Sequence, residues 1–181
     1  MNVKNTVTKK QEEAFSFLKD NFLLQFLLRL ITGIIKKMKD SLNIAVAGAT
    51  GYVGLELIKI LSKHPKAKIL YLCANKSVGK KIYAFDKKII NKNLPIISKI
   101  KNISWDKINV LFTALPNGQA QKIAKIIPEH IKLIDLSADF RLNDFKLYEK
   151  WYGINHKCKN LINKSIYGIT EFSREYLSNH K

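Results

Sequence analysis

Residues 43–54 read NIAVAGATGYVG. The first half, residues 44–47, is a short apolar run that reads as a buried strand. The run breaks at Gly48, and glycine returns at Gly51 and Gly54. From Leu55 the apolar residues fall at helical spacing, Leu55, Ile58 and Leu61, with Glu56 and Lys59 between them. A strand, a glycine-rich turn and a helix present backbone N–H groups and the positive end of a helix to a phosphate. In this reading Gly48 permits the tight turn and Gly51 lets backbone approach a pyrophosphate. Gly54 lets the helix pack closely, and Thr50, Tyr52 and Val53 complete the loop. The spacing is G-x-x-G-x-x-G, and its weight comes from the strand before it and the helix after it. The segment points to a nucleotide.

Outward from this turn the chain alternates strand and helix. Strands are expected at residues 43–47, 69–74, 110–114 and 132–136. Helices are expected at about residues 53–62, ended by His64-Pro65, and 119–127, closed by Pro128. Residues 78–106 carry short apolar runs and Pro95 and read as irregular. The alternation predicts an α/β fold, a Rossmann-like doubly wound parallel sheet with helices on both faces.

The chain has 181 residues, enough for a core, and 46% of them are hydrophobic. The net charge of +18 raises the question of nucleic acid. The kind of base argues against it: only Arg29, Arg141 and Arg174 are arginine, and lysine is scattered along the whole chain with much Ile and Asn. That mix fits an AT-rich coding bias and a solvated lysine surface, whereas arginine is the better reader of phosphate and base edges. Nucleic acid is not an expected partner. Cys73 and Cys158 do not make a disulfide framework and show no metal-ligand spacing. The histidines, His64, His130, His156 and His180, stand apart, so no metal is expected and a reducing cytoplasmic setting fits.

Residues 1–40 form an extension. Residues 15–35, FSFLKDNFLLQFLLRLITGII, read as a greasy amphipathic helix interrupted by Lys19, Gln25, Arg29 and Thr32. The uninterrupted apolar length falls short of the roughly 20 residues a spanning helix needs, and no A-x-A cleavage site follows. A membrane surface, a partner, or an upstream extension with Met38 as the working start are the three readings. The last is favoured, and a membrane is not an expected partner.

The end of the second strand bears on the choice of dinucleotide. NAD enzymes place Asp or Glu there for the ribose 2′-hydroxyl. Here the chain runs Asn75, Lys76, Ser77, Val78, Gly79, Lys80, with no carboxylate. A cation and hydroxyl set suits a 2′-phosphate, so NADP is expected; an exposed lysine loop is the plain alternative. Leu115, Pro116 and Asn117 leave the third strand in a turn suited to the nicotinamide half, or are an ordinary turn. Ser137, Asp139 and Arg141 leave the fourth strand as an anion-handling cluster, followed by Tyr167 and Glu171 in YGITEF.

The segments GATGYVGLELIKILSKHP, ALPNGQA, IDLSADFRL, YEKWYG and YGITEF, in this order, resemble the N-acetyl-gamma-glutamyl-phosphate reductases of arginine biosynthesis. The resemblance covers about residues 42–181. Asn117 stands where that family often has His, and Ile169-Thr170 where it has Leu-Pro. The glycine turn alone also suits aspartate-semialdehyde dehydrogenase. The resemblance implies NADPH-dependent reduction of an acyl phosphate: a cysteine thiolate forms a thioester and expels phosphate, hydride releases the semialdehyde, and a histidine moves the proton. In the family that cysteine lies in an Asn-Pro-Gly-Cys-Tyr-Pro segment after YG-x-x-E, which this chain does not contain. Cys158 precedes YGITEF and matches no family nucleophile, and its neighbour His156 does not thereby make a dyad.

These motifs imply a dinucleotide domain over residues 41–165 and, at 166–181, the start of an α+β catalytic domain before which the fold is truncated. No catalytic residue is assigned. Cofactor-binding roles fall to Gly48, Thr50, Gly51, Tyr52, Val53, Gly54, Asn75, Lys76, Ser77, Gly79, Leu115, Pro116 and Asn117, and substrate roles to Ser137, Asp139, Arg141, Tyr167 and Glu171. The substrate is a small acyl phosphate, and the longer protein is expected to be a homo-oligomer. Aspartate-semialdehyde dehydrogenase, its lysine-pathway homologue and a non-catalytic NADP-binding module are the rivals.

Overall fold

The computed structural model describes residues 41–89 and 93–168. The apolar segment at residues 15–35, Met38 and Glu171 lie outside the described residues. Strand β1 (Leu42–Ala47) is the centre of the sheet. Ile44, Ala45, Val46 and Ala47 are all buried, so both faces of the strand are covered. β1 pairs in parallel with β2 (Ala67–Cys73) on one side and with β4 (Val110–Thr113) on the other. β3 (Ile97–Ser98) extends the sheet beyond β2, and β5 (Lys132–Asp135) extends it beyond β4. The order is β3-β2-β1-β4-β5, five strands, all parallel.

The register brings the carboxyl ends level. Ala47 lies opposite Cys73 on one side and Thr113 on the other; Cys73 lies opposite Ser98 and Thr113 opposite Asp135. Every loop that leaves this row therefore starts from the same edge of the sheet.

Helix α1 (Tyr52–Leu61) crosses from β1 to β2 and buries Leu57, Ile58 and Leu61. Burying a side chain of this kind contributes about 1.5–3 kcal/mol. Helix α2 (Gln119–Ala124) crosses from β4 to β5. The two crossovers run outward from β1 in opposite directions, and right-handed connections then put their helices on opposite faces. Ile123 of α2 packs with Ala45, Ala47, Leu111, Ile103 and Ile108 on one of those faces. The strand order reverses between β1 and β4, which opens a crevice at their carboxyl ends.

Two features differ from the sequence expectation. The described residues of 78–107 contain the edge strand β3 and three short 3-10 turns, Ile82–Ala84, Ile100–Asn102 and Trp105–Lys107. The turns around Ile100 and Trp105 pack where a crossover helix usually lies. A two-residue strand carries no periodicity to read. Beyond β5 the chain forms α3 (Phe145–Tyr152) and α4 (Lys159–Ile162). α3 is capped by Asp144, whose carboxylate accepts from the Lys146 and Leu147 N–H groups, and ends on left-handed Gly153. Elsewhere the expected elements are present, with α2 ending at Ala124, ahead of Ile127.

Alanine normally exceeds glycine inside a helix by about 1 kcal/mol. At Gly54 the sign reverses, because an added Cβ would lie 2.1 Å from the Gly48 carbonyl oxygen, a backbone atom. Gly54→Ala is expected to destabilise the chain by about 2 kcal/mol, read from urea unfolding. An unchanged or raised midpoint would contradict the close packing of α1 on the turn.

Candidate functional site

The glycine turn is built by backbone. Gly48 has φ +85°, and its N–H and that of Ala49 both donate to the Cys73 carbonyl, at 2.9 and 3.0 Å. The end of β2 thus clamps the turn that leaves β1. A Cβ at Gly48 would lie 2.1 Å from the Ala114 carbonyl oxygen, so the turn and the end of β4 touch through backbone. Gly51 caps α1 in an extended conformation, with no side-chain cap bond and no acidic residue in the first turn. The first-turn N–H groups of α1 have no partner within the helix. A dinucleotide phosphate completes such an end, through its N–H groups and its positive dipole. Thr50 and Val53 are half-buried, and Gly51 and Tyr52 are exposed beside them.

The loop after β2 leaves the same edge of the sheet. Asn75, Lys76, Gly79 and Lys80 are exposed, while Ser77 is buried. The expected hydroxyl and cation set therefore narrows to cations and the Asn75 amide. A turn with Lys80 N–H donating to the Ser77 carbonyl fixes the loop, and Gly79 N–H donates to Ile97 of β3. The turn after β4 places Pro116 and Asn117 exposed and Leu115 half-buried, across the crevice from the glycine turn.

The polar side chains of the segment after β5 bond extensively within the chain. Asp135 accepts from Thr113 Oγ1 at 2.7 Å, from the Ser137 hydroxyl at 2.7 Å and from the Ser137 N–H at 3.1 Å. Burial pushes its carboxyl above the usual range. The Ser137 hydroxyl also accepts from the Asp139 N–H, so its proton and a lone pair are both engaged. Asp139 is fully buried. Its Oδ1 accepts from the Gly118 N–H at 2.6 Å and from the Tyr148 hydroxyl at 2.7 Å, and its Oδ2 from the Gln121 N–H at 3.2 Å. Ser137 and Asp139 thus face inward, because short polar side chains leaving a strand bond the nearest backbone donors. Arg141 and Tyr167 do come together: the guanidinium lies 5.7 Å from the Tyr167 ring centroid. Arg141 Nε is buried and has no hydrogen-bond partner among the described residues.

A polar network around Asp139 was not legible in the sequence. Tyr148 on α3 is fully buried, and burial together with the Asp139 carboxylate holds its hydroxyl far above the usual phenol range. Gln121 donates from Nε2 to the Tyr148 oxygen and accepts from the Lys157 N–H. His156 Nδ1 accepts from the Cys158 N–H, which assigns the ring proton to Nε2, donating to the Asp139 carbonyl at 2.8 Å.

The cysteines are structural. The Cys158 thiol donates to the Gln121 carbonyl, and His156 meets its backbone rather than its sulfur. Burial raises both thiols, Cys73 to about 11. With a disulfide-exchange reagent near pH 8, both thiols are expected to react at least about a hundredfold faster in denaturant than in the native chain. A fast native thiol would reopen Cys158 as a nucleophile.

Residues 43–180 match the family model described as semialdehyde dehydrogenase, NAD binding domain. The chain is 44% identical over 139 residues to N-acetyl-gamma-glutamyl-phosphate reductase of Ehrlichia canis (strain Jake), covering 76% of this chain and 40% of that protein. It is 35% identical over 143 residues to the probable chloroplastic N-acetyl-gamma-glutamyl-phosphate reductase of Oryza sativa subsp. japonica, covering 79% of this chain and 34% of that one. Among solved structures, aspartate semialdehyde dehydrogenase with NADP from Candida albicans is similar at TM-score 0.47 and 27% identity, over 56% of this chain and 31% of that one. The chain spans about two fifths of the length of the curated relatives it matches. With a parallel sheet in the order β3-β2-β1-β4-β5, a glycine turn at its switch point and a family match over most of its length, the chain belongs to the semialdehyde dehydrogenase family and carries its NAD-binding domain.

Proposed function

We propose that this chain is the cofactor-holding part of an NADPH-dependent reductase that converts N-acetyl-gamma-glutamyl phosphate to the semialdehyde in arginine biosynthesis. The observation that carries the reading is its 44% identity to a reductase of that name across 139 residues. In this reading the pyrophosphate lies on the open N-terminus of α1, held by the backbone of Gly51, Tyr52, Val53 and Gly54, with Gly48 giving the turn its shape. Thr50 flanks it. The adenosine end runs toward Asn75, Lys76, Gly79 and Lys80, where cations without a carboxylate favour a 2′-phosphate over a free hydroxyl. The nicotinamide half crosses the switch point to Leu115, Pro116 and Asn117.

When bound, the cofactor supplies hydride to the acyl carbon. This chain's part is to hold the dinucleotide and orient its reactive end. Arg141, with a buried Nε that lacks an acceptor and a guanidinium beside Tyr167, is the group best placed to meet an anionic substrate. Glu171 keeps its proposed substrate role from the YG-x-x-E motif. Neither Cys73 nor Cys158 supplies the thiolate, since both are buried and raised. In the proposed reductase the thiolate comes from the remaining length of protein that the relatives have. Such a protein works in the cytoplasm as a homo-oligomer on a small acyl phosphate.

Fluorescence titration of the 181-residue chain is expected to show NADPH binding at least about tenfold tighter than NADH. Lys76→Ala is expected to weaken NADPH by about fivefold and leave NADH unchanged. Equal affinities in the parent chain would remove the 2′-phosphate role of the β2 loop. Phosphate-dependent reduction of NADP by N-acetylglutamate semialdehyde is expected to be absent from this chain by itself; turnover there would overturn the assignment of both cysteines.

A further inference from the structure

We infer that Asp139 is a positioning residue for the cofactor: it fixes the turn facing the nicotinamide half by holding the Gly118 N–H, and Tyr148 and Gln121 hold Asp139 in place. The inference rests on the dinucleotide reading above.

Gly118 is the N-cap of α2 and has φ +80°, with no side-chain cap of its own. The first N–H groups of a helix have no acceptors within it; Gln119 N–H finds the Pro116 carbonyl, and Gly118 and Gln121 N–H need acceptors from elsewhere. Asp139 supplies them from 21 residues away in sequence, with Oδ1 on Gly118 and Oδ2 on Gln121. A single carboxylate thus sets both the first residue of the cap and the first turn of α2. The Gly118–Oδ1 bond, at 2.6 Å, is the shorter of the two.

A buried carboxylate is costly unless its oxygens are satisfied. Here three donors converge on it, two backbone N–H groups and the Tyr148 hydroxyl. The surroundings leave Tyr148 no freedom to turn away. Its ring packs against Tyr152 at 4.7 Å and edge-on to His156 at 4.9 Å, and its oxygen accepts from Gln121. His156 in turn holds the Asp139 backbone carbonyl. The result is that residues after β5, α3 and the loop before α4 are all tied to one backbone N–H in the β4 turn. Pro116 and Asn117 precede that N–H directly, and the Gln119 N–H donates back to the Pro116 carbonyl. The turn's shape is therefore set by a group that cannot itself reach the cofactor.

The chemistry predicts an effect confined to one end of the dinucleotide. In the dinucleotide reading the adenosine end and the pyrophosphate meet the glycine turn and the β2 loop, and among the described residues the Asp139 and Tyr148 side chains bond to neither. The test uses the full 181-residue chain and two probes: NADPH, and adenosine 2′,5′-bisphosphate, which lacks the nicotinamide half. Asp139→Asn keeps the shape of the side chain but turns one acceptor into a donor against N–H groups. Tyr148→Phe removes only the hydroxyl. Asp139→Asn is expected to weaken NADPH by about tenfold, and Tyr148→Phe by about threefold, with bisphosphate affinity within about twofold of the parent. A merely structural role would lower both probes together or neither. Either of those outcomes, in variants whose far-ultraviolet circular dichroism matches the parent, overturns the inference. So does failure of both variants to fold. A parent chain that binds neither probe sinks the dinucleotide reading itself, whereas a parent that binds both, with variants that do not separate them, sinks only the positioning role of Asp139.

Discussion

The structure turns on a place where three backbones meet with no side chain between them. The Gly48 position faces the Ala114 carbonyl, and the Gly54 position faces the Gly48 carbonyl, each so closely that a Cβ would lie 2.1 Å from oxygen. The turn after β1, the first turn of α1 and the end of β4 are therefore fixed relative to one another by van der Waals contact. Two N–H groups on the Cys73 carbonyl add β2 to the same junction. Because the strand register is level at this edge, the junction lies at the switch point where the sheet's order reverses. The open N-terminus of α1 and the crevice beside it follow from that one packing constraint.

A second constraint works through charge rather than through size. Asp139 is buried, and a carboxylate there is tolerable only because Gly118, Gln121 and Tyr148 donate to it. The two devices divide the crevice between them. Glycine contacts shape the side where α1 begins, and the carboxylate network shapes the side where α2 begins. Ser137 and Asp139 both bond within this second device. Arg141 remains with a guanidinium set against Tyr167 and an Nε that no group among the described residues accepts from.

Much of the fold was readable because its signals are local. β1, the glycine turn and α1 each carry their pattern within a dozen residues, and Pro65 and Pro128 punctuate the helices they follow. The strands β2, β4 and β5 are apolar runs of ordinary length. β3 was not readable, since Ile97–Ser98 becomes a strand only by pairing with Leu72 and Cys73. The 3-10 turns at Ile100–Asn102 and Trp105–Lys107 were hidden for a similar reason: they are held by packing on the sheet, not by a repeating pattern.

By itself the sequence determined the parallel α/β sheet, the glycine turn between β1 and α1, and the absence of a carboxylate behind β2. These depend on residue type and spacing along a short stretch of chain. Only the tertiary structure decided what the polar residues do. It turned Ser77 and Asp139 inward and joined Gln121, Tyr148, His156 and Cys158 into one network across up to 37 positions of sequence. It also set His156 against the Cys158 backbone instead of its sulfur. The physical reason is that a hydrogen bond is directional and is settled by which donors a buried acceptor meets in three dimensions, and sequence spacing carries no record of that meeting.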